Sequence, residues 1–182
     1  EGSVSLDKVA GPVGEALIMT AAGLAAQIAG AAFDVAIVNA GVFGPRTQGL
    51  VTPTPLEFDA VMHANVLGAM QSIPLVAPLV EAAKGKFIFI TSGMGSIGDA
   101  SSSMGWIYRA SKAALNMAVR AASFDYPQAI LVAMNPGWVK TDMGGPGAPT
   151  SVTASVAGML ALDDFALPPP FLCTLHLRKL LR

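Results

Sequence analysis

Three short apolar runs punctuate the chain, and each stops abruptly at small or polar residues. Phe33-Asp34-Val35-Ala36-Ile37-Val38 stops at Asn39-Ala40-Gly41, and Lys86-Phe87-Ile88-Phe89-Ile90 stops at Thr91-Ser92. Ala129-Ile130-Leu131-Val132-Ala133-Met134 stops at Asn135-Pro136-Gly137. Runs of this length bounded by turn formers predict strands, and their nearly continuous apolar character predicts strands buried on both faces. Between them, Leu56 to about Ala83 and Ile107 to about Phe124 predict two long helices, the second rich in Ala, while Gly93 to Gly105 forms a Gly/Ser-rich loop. Strands alternating with helices imply an α/β fold, a parallel sheet with right-handed crossovers. No internal repeat or low-complexity tract interrupts this alternation.

Composition sharpens the picture. Of 182 residues, 53% are hydrophobic and only 13% charged, which suits a sheet covered on both sides within a single domain spanning 1–182. A net charge of −1 gives no electrostatic footprint for nucleic acid. The one cysteine, Cys173, rules out an intramolecular disulfide and fits a reducing, cytoplasmic compartment. Two stretches lack charge, Ala16 to Phe33 and Ala60 to Val80. The first reaches membrane-spanning length, but it is Ala/Gly-rich, carries Thr20 and Gln27, and runs directly into a strand-like segment. The second contains Asn65, Gln71, Pro74 and Pro78. Both are expected to be covered helices, with no membrane partner. His63, Cys173 and His176 are too isolated for a metal site.

In parallel sheets ligands bind at the carboxyl ends of the strands, and the unusual residues of this chain collect at those ends. Beside them stands Tyr108-Arg109-Ala110-Ser111-Lys112. Four residues apart on a helix, Tyr108 and Lys112 share one face. An ammonium next to a phenol favours the phenolate, which makes the pair a candidate for proton transfer. Each element also has a plain structural reading: a solvated lysine, a half-buried aromatic, a turn-forming Asn39, a kink-satisfying Asn65, a capping Ser92, an ordinary Pro136-Gly137 turn. The order and spacing of the set carry the argument.

That set resembles the short-chain dehydrogenase/reductase family. The matching pieces are Asn39-Ala40-Gly41, Asn65 within His-Ala-Asn-Val-Leu-Gly, Ser92 after Phe-Ile-Phe-Ile-Thr, Tyr108 with Lys112, and Pro136-Gly137-Trp138-Val139-Lys140-Thr141-Asp142. Gly95-Ser96-Ile97-Gly98 and Tyr-Arg-Ala-Ser-Lys resemble the branch of sniffer-type carbonyl reductases and C-factor-like proteins, and the likeness runs from about residue 33 to 145. It implies a Rossmann-like doubly wound sheet and an NAD(P)-dependent oxidoreductase that acts on a small carbonyl or alcohol. NADP is slightly favoured by the resemblance. It also implies a catalytic set of Asn65, Ser92, Tyr108 and Lys112. Tyr108 would be the general acid/base, Lys112 would depress the phenol pKa and bind the nicotinamide ribose, Ser92 would fix the carbonyl oxygen, and Asn65 would hold a water in a proton relay. The cofactor would lie against Asn39, Ala40, Gly41, Tyr108, Lys112, Pro136, Gly137, Val139 and Thr141. The two long helices resemble those through which family members form homo-oligomers.

Two regions depart from the pattern. The family opens with a strand and a glycine-rich turn that holds the pyrophosphate. Here Gly11-Pro12-Val13-Gly14 is the nearest candidate, and it lacks the third glycine and a preceding apolar strand. Asp7 or the region of Ile18 would stand where the family contacts the adenine. Roughly 45 residues of a full dinucleotide-binding half are thus expected to be absent, which would remove the first strand-helix units and leave the strand ending at Asn39 with an open edge. At the other end, residues 163–182 carry Pro168-Pro169-Pro170 and an apolar segment with a basic end, readable as a strand, a helix or an unrelated tail. These departures keep two other readings in view: a catalytically impaired fragment that serves as a binding or assembly module, and an isomerase or dehydratase of the same superfamily.

Overall fold

Four strands lie side by side in the order β1 (Val35–Val38), β2 (Lys86–Ile90), β3 (Ile130–Asn135) and β4 (Thr174–His176), and every pairing is parallel. The computed structural model describes residues 28, 30–47 and 49–161 and the backbone of 174–176. The registers Val38↔Phe89, Ile90↔Met134 and Asn135↔His176 bring the carboxyl ends of all four strands to one edge. β3 is buried along its whole length, as its unbroken apolar run predicts.

Alternation assigns the two faces. Phe87, Phe89, Leu131 and Ala133 point one way and pack on Ile73, Ala77 and Val80 of α2 (Gly68–Ala82) and on Leu115 and Val119 of α3 (Trp106–Ala122). Ile130, Val132 and Met134 point the other way, with Ile88, Ile90 and Met159 packed against them. Met159 comes from α4 (Val152–Ala161), a short helix of small and apolar residues that the sequence pattern did not single out.

The long helix expected from Leu56 starts one residue earlier. Thr54 caps α1 (Pro55–Met62): its hydroxyl accepts from the N–H of Glu57, whose carboxylate accepts from the N–H of Thr54, and Pro55 occupies the first turn. The helix is not uniform. A π turn over His63–Leu67 separates α1 from α2 and places Asn65 on its inner side. The run Pro55–Ala82 is long and apolar enough to cross a membrane by composition. Here it is a core helix, with Ala69, Ile73, Val76, Ala77 and Val80 buried against the sheet.

Thr174–His176 of the C-terminal segment adds a strand beside β3, which selects the strand among the readings of that tail. The Ala16–Phe33 run up to Gln27, the Gly11–Gly14 candidate turn, Asp7, Ile18 and Cys173 lie outside the described residues.

Candidate active site

Tyr108 and Lys112 occupy the first turns of α3, on the side that meets the ends of β1 and β2. Both are buried, at 7% and 3% exposure, so Lys112 is not a solvated lysine and Tyr108 is more than half-buried. Lys112 Nζ donates to the carbonyl of Ile90 at 2.9 Å, at the last residue of β2, and lies 5.7 Å from the centroid of the Tyr108 ring. Between them Ser111 is wholly buried; its hydroxyl donates back to the Tyr108 carbonyl at 2.8 Å and accepts from Asn65 Nδ2 at 2.8 Å.

Asn65 is saturated. Its Oδ1 accepts from the Val42 N–H at 2.7 Å, and its Nδ2 donates to the Val42 carbonyl at 2.9 Å as well as to Ser111. The π turn turns this side chain inward; such turns recur at functional sites. Its side chain is therefore a tether between the segment after β1 and the middle of α3.

Ser92 follows β2 and caps the short helical turn Gly93–Gly95 by accepting from the Met94 N–H at 3.1 Å. Ser92 is thus a cap, and the same hydroxyl also acts on the Tyr108 phenol, favouring its ionised form. Thr91 is buried and donates to Asn116 Oδ1 at 2.6 Å, which fastens the end of β2 to α3.

The electrostatics differ from expectation in one respect. Burial pushes the Tyr108 phenol above its ordinary value, and the Ser92 hydroxyl offsets part of that. Lys112 does not depress it: its ammonium is turned to the Ile90 carbonyl, and burial lowers its own pKa to about 8. A buried cation in an apolar surrounding loses hydration, which favours the neutral amine. The site as built keeps the phenol protonated at neutral pH.

The end of β1 is open. Asn39 and Ala40 are exposed, and Gly41 sits where a Cβ would lie 3.1 Å from Asn65 Oδ1 and 3.3 Å from Lys112 Nζ. A side chain there would crowd the lysine, and glycine leaves the space open. At the end of β3, Asn135 Oδ1 accepts from the Gly137 N–H at 3.1 Å, and Gly137 holds φ +86°. Pro136, Gly137, Val139 and Thr141 lie along the same sheet edge; Thr141 Oγ1 accepts from the Gly144 N–H at 3.1 Å. The structure thus gathers Asn65, Ser92, Tyr108, Lys112 and Gly41 into one cluster and places the β3 residues beside it on the edge.

The described residues fit the ribose side of a dinucleotide. Lys112 uses a single hydrogen-bond acceptor among the described residues, which leaves N–H donors for ribose hydroxyls, and Asn39 to Gly41 offer exposed backbone beside it.

Several site residues escaped the sequence reading. Ser111, Thr91 and Asn116 carry polar side chains on apolar helix or strand faces, a signal that could have marked them. Phe43 could not have been found by spacing: its ring stacks on Tyr108 at 4.7 Å between centroids, 65 positions away in sequence. A cavity of about 40 Å³ lies between Pro45, Val51, Pro53 and Trp106. It has room for a water or two and does not reach the Tyr108 cluster. Among the described residues, no three His, Cys, Asp or Glu side chains are grouped to hold a metal ion.

Comparison with known proteins agrees with this geometry. The short chain dehydrogenase family model matches residues 15–150. The chain is 40% identical over 134 residues to C-signal of Myxococcus xanthus, covering 72% of this chain and 80% of that protein. Other curated relatives are spanned over 57% of their length or less. A Burkholderia multivorans structure assigned to the short-chain dehydrogenase/reductases, with bound NADP, superposes with a TM-score of 0.79 at 34% identity, covering 88% of this chain and 70% of that one. The carbonyl reductase Sniffer of D. melanogaster gives a TM-score of 0.72 at 27% identity, covering 85% and 67%.

Proposed function

The chain belongs to the short-chain dehydrogenase family, and we propose that it transfers a hydride between a nicotinamide dinucleotide and a small carbonyl or alcohol, with Tyr108 as general acid/base. The observation that carries this reading is the buried Tyr108, flanked by Lys112 and beside Ser92 at the carboxyl edge of a parallel sheet. When bound, the nicotinamide supplies the hydride chemistry. The chain's own residues do the rest. Ser92 donates to the carbonyl oxygen and fixes its place. Tyr108 gives its proton to that oxygen as it becomes an alkoxide, and takes one back in the oxidation direction. The phenol is protonated at neutral pH, and burial extends that range upward, so its proton is available for reduction. Lys112 offers its free N–H donors to the ribose, and Gly41 leaves room beside it.

NADP is the favoured nucleotide, supported by the NADP-bound Burkholderia multivorans structure. Titration with NADPH and NADH, followed by nicotinamide fluorescence, tests the reading; a folded sample that binds neither would overturn it. Exposed Leu67, Met70, Met117 and Phe124 on and beside the outer sides of α2 and α3 support a homo-oligomer built on those helices. Sedimentation as a strict monomer would remove that part. The expected setting is a reducing, cytoplasmic one.

A second reading, a module that binds without turnover, is favoured by one observation. Among the described residues β1 pairs with β2 alone. Nucleotide binding without turnover of any carbonyl by the same sample would select it.

A further inference from the structure

We propose that Phe43 is a positioning residue for Tyr108, and that Arg46 holds Phe43 in place by spanning from the loop after β1 to the loop after β3. The proposal rests on the oxidoreductase reading above and adds a residue to its site.

Three contacts converge on the Phe43 ring. Tyr108 stacks on it, with ring centroids 4.7 Å apart and planes 25° apart. The guanidinium carbon of Arg46 lies 4.8 Å from the same centroid, and an Arg46 N–H donates to the carbonyl of Met143. The third contact is with Gly105. This residue opens α3 at φ +64°, and a Cβ there would meet Phe43 Cζ at 2.8 Å and Met94 Cε at 3.2 Å. A glycine three positions before Tyr108 is thus the vacancy into which Phe43 fits.

The stack solves a placement problem. Tyr108 is fixed at its backbone by α3, but the far end of its ring is set only by what touches it. Ser92 sets one direction, through the phenol oxygen. Phe43 sets the plane. A stacked pair is worth about 0.5–1.5 kcal/mol beyond its buried area, enough to favour one ring orientation strongly. Misplacing a catalytic group by about 1 Å can cost on the order of 10²-fold in rate. The same ring covers one face of the phenol and keeps water from it. The charged groups around Tyr108 are Lys112 on its own helix, Arg46 behind Phe43, and Arg109, whose Nε is turned away to the Met104 carbonyl.

The chain holds only two tyrosines, so in a Tyr126→Phe background Tyr108 is the one phenol, and its ionisation can be read by absorbance without any turnover. Phe43→Leu in that background should bring the midpoint of Tyr108 down towards an ordinary phenol. It should also lower kcat about tenfold while KM and NADPH affinity stay within twofold. Phe43→Tyr, which adds a second phenol and is therefore read by turnover alone, should restore kcat. Arg46→Gln, at an exposed position, should move the midpoint and kcat in the same direction as Phe43→Leu, by about threefold in kcat, and it carries the test if Phe43→Leu does not fold. An unchanged Tyr108 midpoint together with unchanged kcat in the folded variants would overturn the proposal. A shifted midpoint in a protein that turns over no carbonyl would uphold the positioning role and overturn the hydride-transfer reading.

Discussion

At the end of β2, Thr91 is 2% exposed and bonded to Asn116, Ser92 caps a turn and meets Tyr108, and the Ile90 carbonyl holds Lys112. One strand over, at the end of β1, Asn39 and Ala40 are exposed, and the segment is fastened by the two bonds between Val42 and Asn65. The strands are neighbours in register, so the difference is one of construction. Buried, fully satisfied polar networks rigidify a site, because breaking one member strands another. The β2 side is therefore preset for moving a proton. The β1 side presents backbone in the open, as a surface that receives a ligand must.

The sharpest way to break this comparison is to remove the proton from the rigid side alone. Tyr108→Phe should cut carbonyl reduction by about 10²–10⁴-fold while NADPH affinity stays within about twofold, read by turnover and by nicotinamide fluorescence. The Phe43 stack needs no hydroxyl, so the fold should hold. Full turnover in the variant would mean that Ser92 or a water delivers the proton, and that the rigidity of the β2 side serves packing only.

The sequence made this contrast partly visible. Strand ends were legible because each apolar run stops at a turn former, and the edge followed from the parallel reading. Tyr108 and Lys112 were legible because helical spacing is local. The roles of their neighbours were not. The resemblance gives Asn65 a relay role but no hint of its tether to Val42 and Ser111, which depends on a π turn that no composition signals. The pKa direction of Tyr108 was misjudged for a related reason. Proximity on a helix predicts attraction between phenolate and ammonium, but desolvation of a buried phenol acts the other way, and burial is a tertiary property. Phe43 comes from a distant loop and leaves no pattern at all.

Asn65 joins the two regions, so its loss should blur them. Asn65→Leu takes away the partner of the Val42 N–H and carbonyl and the donor to the Ser111 hydroxyl, at about 2–3 kcal/mol of stability. Chemical denaturation should show this as a lower midpoint with an unchanged slope, accompanied by weaker NADPH binding. A variant as stable as the parent would mean that the β1 segment is held by something other than the tether.

Lys112 tests the rigid side through pH. Its pKa falls from 10.5 to about 8 in the fold, so the folded state binds the proton less tightly than the unfolded chain. Its charge therefore penalises the fold below about pH 8, and the penalty is relieved as pH rises from about 8 to 10.5. Lys112→Met should remove that penalty. Allowing for the lost bond to Ile90, we expect about 1–2 kcal/mol of added stability at pH 7, with turnover lost. Between pH 8 and 10 the advantage should shrink, as measured by thermal unfolding in matched buffers. A destabilised variant at pH 7 would show that the Ile90 bond outweighs desolvation.

Gly41→Ala should have the smallest effect, about 1 kcal/mol, and it reports on the seam between the two regions. The new Cβ would stand 3.1 Å from Asn65 Oδ1 and 3.3 Å from Lys112 Nζ, tighter than ordinary contact on both sides. One of the two must give. Asn65 is held by three hydrogen bonds and Lys112 by one, at the end of a flexible chain, so Lys112 should move and loosen its bond to Ile90. A double-mutant cycle decides it, since contacting residues fail to add. In a Lys112→Met background the cost of Gly41→Ala should shrink by more than half, because a thioether side chain lacks the ammonium that the methyl crowds. If the cost is the same in both backgrounds, Asn65 is the residue that yields. The open β1 side would then be set by its own tether rather than by the lysine that faces it.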